Sequence, residues 1–101
     1  MKNTEIKPSV RRAVYERDSI QGCPCCVYCG SPYHIEIAHY VSRGRGGYGI
    51  PQNLVCLCSH CHRNLDNGSD IEYTRDIKRR VESYLREKYE DWDEMFLGGR
   101  R

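Results

Sequence analysis

Two C-x-x-C pairs, Cys26/Cys29 and Cys58/Cys61, each offer two thiolates at the spacing that lets a tight turn aim both sulfurs at one tetrahedral ion. Gly30 follows the first pair and permits that turn. The interval between the pairs, residues 30 to 57, is 28 residues. This exceeds the roughly 15–20 of the simplest zinc ribbon, because a strand and a loop must fit inside it. Cys23 and Cys26 form a shifted C-x-x-C, but Pro24 and the lack of a following glycine make that register the weaker choice. A redox dithiol would need a strand-to-helix context that Cys26 lacks. Between and just after the pairs stand His39, Asn53 and His62. An imidazole titrates near neutral pH and either moves a proton or binds a metal. Arg43, Arg45 and Arg63 lie beside these residues, and their forked guanidinium groups suit phosphate oxygens. His34 and His60 read as surface or loop residues, since a lone histidine is more often a satisfied polar side chain than a ligand.

The elements that must hold these groups follow from local pattern. Residues 1–8 are polar and read as a loose arm ending at Pro8. Ser9 is a candidate N-cap for a helix over about 9–18, whose Val10, Ala13 and Val14 fall at i, i+3 and i+4. Arg11, Arg12 and Arg17 read as its solvated face, with contact to a nucleic acid as the lesser alternative. After a short link and the cysteine knuckle, Ile35 to Val41 alternates as a strand, and Leu54 to Leu57 is apolar enough for a second. The glycine-rich stretch Ser42 to Pro51 would join them as a flexible hairpin end. Cys56 is expected in the core, its side chain opposed to that of Leu57. A helix runs from Ser59 to about Asn67, with Gly68 as its stop. Ser69 and Glu72 then stand in capping-box relation before a helix of about 70–88, whose Ile77, Val81, Tyr84 and Leu85 form a stripe that packs on the hairpin. The tail, 89–101, is acidic and aromatic (Trp92, Phe96) and reads as partly ordered or as a partner contact.

With 101 residues, 39% of them hydrophobic, the chain has room for one domain (1–101, centred on 26–67) with a thin core. Cores this small are commonly stapled by metal or disulfides. The count of seven cysteines is odd, and no basic start precedes an apolar run, so a reducing, cytoplasmic setting and a metal staple are expected. No apolar run reaches the roughly 20 residues of a membrane helix, and no membrane partner is expected. A net charge of +2 is only mildly basic. Five carboxylates (Glu87, Glu90, Asp91, Asp93, Glu94) crowd the end of the chain and leave the remainder more basic than this sum.

The order Ile37-Ala38-His39-Tyr40-Val41-Ser42-Arg43-Gly44, then Pro51-Gln52-Asn53-Leu54-Val55-Cys56-Leu57-Cys58-Ser59-His60-Cys61-His62, closely resembles the HNH endonucleases of the ββα-metal superfamily. The resemblance covers roughly residues 26 to 67, and its letters are His39, Asn53 and His62. It implies an α+β fold, a ββα-metal unit with a structural zinc on Cys26, Cys29, Cys58 and Cys61, flanked by an N-terminal and a longer C-terminal helix. It also implies hydrolysis of DNA phosphodiester bonds, by nicking or double-strand cleavage, that leaves 5′-phosphate and 3′-hydroxyl ends. His39 would be the general base, Asn53 would fix the loop and orient His39, and His62 would bind a catalytic Mg²⁺, Mn²⁺, Ni²⁺ or Zn²⁺ ion. Members of this kind often belong to phages and act beside packaging or recombination proteins, which points to a bacterial or phage-infected cell. One position departs from the pattern: most members carry Asp or His immediately before the general base, and here it is Ala38. Asp66, four residues after His62 on one helix face, is the favoured replacement ligand, and Glu36, one pleat back from Ala38, is the other. The competing expectation is a non-catalytic zinc module that binds nucleic acid or protein and lost cleavage with that ligand.

Overall fold

The computed structural model describes residues 3–99, so Arg100 and Arg101 of the tail lie outside the described residues. Three helices and two small antiparallel sheets make the expected α+β fold. Helix α1 (Pro8–Arg17) begins two residues earlier than a Ser9 cap would set it. Pro8 lies in the first turn, where its fixed φ is already helical and its missing N–H is not needed, and Lys7 before it makes no side-chain cap. Where the sequence predicts only a link, β1 (Ser19–Ile20) and β2 (Cys23–Pro24) form a minimal hairpin. Its turn residues, Gln21 and Gly22, both have positive φ, the geometry that matches strand twist in a two-residue loop.

The hairpin that carries the histidine pairs β3 (Ile35–His39) with β4 (Leu54–Cys58), from Ile35 opposite Cys58 to His39 opposite Leu54. All five residues of β4 are buried because both of its faces are covered. Leu54 and Cys56 pack with Ile37 and Val14 of α1. Val55 and Leu57 face the other way, toward Ile77, Val81 and Leu85. Cys56 therefore opposes Leu57 as its strand position dictates, and burial pushes its thiol pKa up to about 12, so it stays a neutral core group. Helix α2 (Ser59–Asn67) leaves the end of β4 directly. Helix α3 (Ile71–Lys88) lays the predicted stripe on the hairpin, but its cap is Asp70, which accepts from the Tyr73 amide at 3.1 Å, and not the Ser69–Glu72 box.

Two further connections were not legible in the pattern. The Arg17–Asp18 pair is interior: the Asp18 side chain is fully buried and accepts from Arg17 Nε (2.6 Å), from the Cys56 amide (2.8 Å) and from the Tyr84 hydroxyl. Arg17 also donates to the carbonyls of Leu54 (2.6 Å) and Pro51 (2.9 Å), which ties α1 to β4, so it is not part of a solvated face. The tail, expected to be only partly ordered, folds back over the hairpin loop through residue 99. Trp92 is buried, donates from Nε1 to Gln52 O at 2.7 Å and meets the Tyr40 ring edge-on, and Leu97 closes the core beside it.

The polar arm before α1 is docked as well. Gly49 N donates to Asn3 O at 2.9 Å, while Gly99 N donates to Gly46 O at 3.1 Å and Gly47 bridges Gly98. Both ends of the described chain thus meet the loop between β3 and β4. No helix of the described residues is long and apolar enough to cross a membrane.

Candidate active site and metal centre

The four thiols of Cys26, Cys29, Cys58 and Cys61 lie within 4.8 Å of one another. Gly30, at φ +81, turns the first knuckle. Within each knuckle the later cysteine's amide donates to the earlier sulfur at 3.4 Å, Cys29 to Cys26 and Cys61 to Cys58. The second of these bonds also caps α2, so Cys58 does for that helix what a serine or aspartate usually does. Cys29 Sγ and Cys58 Sγ are 3.7 Å apart. A tetrahedron with metal–sulfur bonds of about 2.3 Å has edges of about 3.8 Å, so the group fits a metal on four thiolates with no position left open. Cys23 is exposed and outside the cluster, so the pair that joins it is Cys26/Cys29 and not Cys23/Cys26.

An open cavity of about 390 Å³ is lined by His39, His62, Asp66, Arg43, Arg11 and neighbouring apolar and loop residues. The rings of residues 39 and 62 therefore face one space. His39, the last residue of β3, is buried. Burial lowers its pKa below the ordinary 6.5, the Thr4 carbonyl partly offsets this, and the charge of Arg43 adds to the lowering. Its Nε2 lies 3.1 Å from Thr4 O, a partner for which the sequence carried no signal, because any residue supplies a carbonyl.

His62, in the first turns of α2, lies between two carboxylates. Its Nδ1 is 2.7 Å from Glu36 Oε1 and its Nε2 is 3.2 Å from Asp66 Oδ2. The two candidates weighed against each other thus both reach His62, at opposite nitrogens. Two ligands of one ion, each about 2.1 Å from it and at right angles, stand about 3.0 Å apart, so the Nε2–Asp66 spacing suits a shared cation. Ala38 is fully buried in the main core and opens no ligand position. Among the described residues, the four cysteines are the only group that gathers three or more ligand atoms.

Asn53 is fully buried and holds the loop closed. Its Oδ1 accepts from Val41 N at 2.7 Å, and its Nδ2 donates to Val41 O (3.0 Å) and Tyr48 O (2.9 Å). The expected loop-fixing contacts are present, whereas the ring of His39 is held by Thr4. Of the three arginines singled out, Arg43 lines the cavity; Arg45 and Arg63 are exposed and outside its lining. Arg11, assigned by pattern to a solvated face, lines it instead.

Residues 26–68 match the family described as HNH endonuclease. No curated protein matches the chain. Among solved structures, the chain is similar to the Type IV phosphorothioation-dependent restriction endonuclease ScoMcrA, with a TM-score of 0.53 and 25% identity over 82% of this chain. The chain spans 20% of that protein's length.

Proposed function

We propose, from the premise that residues 26–68 are an HNH endonuclease segment, that this chain hydrolyses DNA phosphodiester bonds. The observation that carries the proposal is the shared cavity: His39, His62, Asp66 and Arg43 converge on one space. His39 takes the proton of the attacking water, and burial keeps its imidazole neutral and ready to do so. The water oxygen bonds to phosphorus as the bond to the 3′ oxygen breaks, and that oxygen takes a proton from solvent, leaving 5′-phosphate and 3′-hydroxyl ends. His62 Nε2 and Asp66 would hold a divalent cation (Mg²⁺, Mn²⁺, Ni²⁺ or Zn²⁺), which would supply positive charge against the phosphate and the leaving oxygen. Glu36 accepts from His62 Nδ1–H, which fixes the ring and leaves Nε2 free for metal, so Glu36 is a positioning residue and Asp66 the ligand. Arg43, with Arg11 across the cavity, grips phosphate oxygens. Zinc is the ion proposed for the four thiolates; it stands apart from the chemistry and locks β4 and α2 to the knuckle.

The test is nicking of supercoiled plasmid with each divalent metal in turn. His39→Ala should lower the rate by about 10²–10⁴-fold, the usual worth of a general base. Glu36→Gln should cost about 10–100-fold, as loss of an orienting partner does, and Asp66→Ala more than that. Activity that survives His39→Ala would remove the mechanism. One observation favours a second reading, a non-catalytic nucleic-acid-binding module: among the described residues, only His62 and Asp66 would reach the proposed cation. A folded wild type that binds DNA and nicks it with none of the metals would establish that reading.

A further inference from the structure

We infer that the N-terminal arm, residues 3–6, is a working part of the active site, in which the Thr4 carbonyl holds the His39 ring so that Nδ1 is the nitrogen presented to the cavity. The catalytic consequence rests on the nuclease reading; the contact itself does not. A backbone carbonyl can only accept, so the 3.1 Å contact requires the proton on His39 Nε2. In a neutral imidazole the other nitrogen then carries the lone pair. Nδ1 makes no hydrogen bond among the described residues, and no buried side-chain nitrogen or oxygen among them lacks a partner. Nδ1 is therefore open to solvent, on a ring that lines the cavity. Thr4 is a positioning residue, comparable to the second partner that orients a catalytic or metal-bound histidine.

The arm is held for this task by two features far from it in sequence. Ile6 packs into the cluster formed by Val14, Ile37, Leu54 and Cys56 and also lines the cavity. Gly49 donates to Asn3 O, and a Cβ at that position would stand 2.1 Å from Glu5 O and 2.6 Å from Glu5 C. Those are backbone atoms that cannot turn aside, so the arm passes only because residue 49 is glycine. Gly49 is not among the positive-φ residues, so alanine there is not strained by a left-handed backbone. The glycine-rich loop that reads in sequence as a flexible hairpin end is thus a seat for the arm.

Gly49→Ala and, independently, Ile6→Ala in the full chain test the inference, with zinc content and a thermal melt establishing that each variant is folded. The first readout is the His39 Nε2–H proton in ¹H–¹⁵N spectra, which needs neither DNA nor the catalytic metal. Wild type should show a hydrogen-bonded imidazole proton protected from exchange, and Gly49→Ala should lose it. The second is plasmid nicking, in which kcat should fall about 10–100-fold while KM stays within about twofold, since no DNA contact is removed. Ile6→Ala should move both readouts in the same direction by less, and it decides the matter if Gly49→Ala does not fold. Absence of the protected proton in wild type would overturn the contact. Its persistence in folded Gly49→Ala would overturn the role of Gly49, and its loss with kcat unchanged would overturn the catalytic role. A wild type that shows the protected proton yet cleaves nothing would instead count against the nuclease reading.

Discussion

The imidazole of His39 is subject to opposed influences: burial and the charge of Arg43 disfavour its protonated form, while the Thr4 carbonyl favours it, and burial prevails. In the proposed mechanism His39 must be neutral to accept a proton, so the nicking rate should hold at its plateau down to pH 6.5 and fall only below it. A pH–rate profile of kcat/KM with its acidic inflection at or above 6.5 would contradict this. The same depression acts on stability with a definite sign. In the window just below 6.5 the unfolded chain binds a proton that the folded chain resists, so the contribution is intact above that value and lost as pH falls through the folded pKa. His62 differs in kind: each of its nitrogens meets a carboxylate, Glu36 or Asp66, and in the proposed mechanism it would hold a cation and move no proton.

At the scale of elements, α1 is joined to the hairpin less by its single fully buried residue, Val14, than by Asp18 just beyond its end. A carboxylate with no exposed side-chain surface that receives an arginine, a backbone amide and a tyrosine hydroxyl is well compensated, but only while it is charged. Burial alone would disfavour the Arg17 charge, yet its bonds to Asp18 hold its pKa above the ordinary value. Asp18→Asn should therefore cost about 3–5 kcal/mol in urea unfolding, a large share of the roughly 5–15 kcal/mol that holds a domain together. Loss of under 1 kcal/mol would mean that the pair is dispensable. This network also marks where sequence reading stops. Periodicity located both strands, α2 and α3, because apolar spacing reports a buried face directly. The C-x-x-C spacing located the thiolate cluster, since ligand geometry is nearly local. Arg17 and Asp18 carry no periodic signal; their interior placement depends on Tyr84, 66 residues from Asp18. Thr4 was invisible for a related reason, its contribution being a carbonyl. The Ser69–Glu72 box failed because Asp70, one residue on, caps α3 equally well.

For the molecule as a whole, the thiolate cluster adds a clamp to segments otherwise joined by the Val27 N–Cys56 O bond (2.9 Å) and the Tyr28–Tyr73 ring contact. Cys26 and Cys29 belong to a knuckle outside any helix or long strand, and Cys58 and Cys61 to the junction of β4 and α2. Metal binding to such sites is worth about 10–16 kcal/mol in small zinc modules, as much as the whole net stability expected here. Chelation should abolish the cooperative melt followed by circular dichroism, and Cys29→Ser should weaken metal retention even though Cys29 is the exposed member of the four. A chelated chain that keeps its melting transition would show that the apolar core suffices alone.

The meeting of both chain ends at Gly46 to Gly49 has a consequence for modular architecture. Those two glycines are three residues apart, no more than about 11 Å, so Asn3 and Gly99 leave the fold as near neighbours. A second module joined at either terminus would therefore start from the same side of the molecule, beside the loop between β3 and β4.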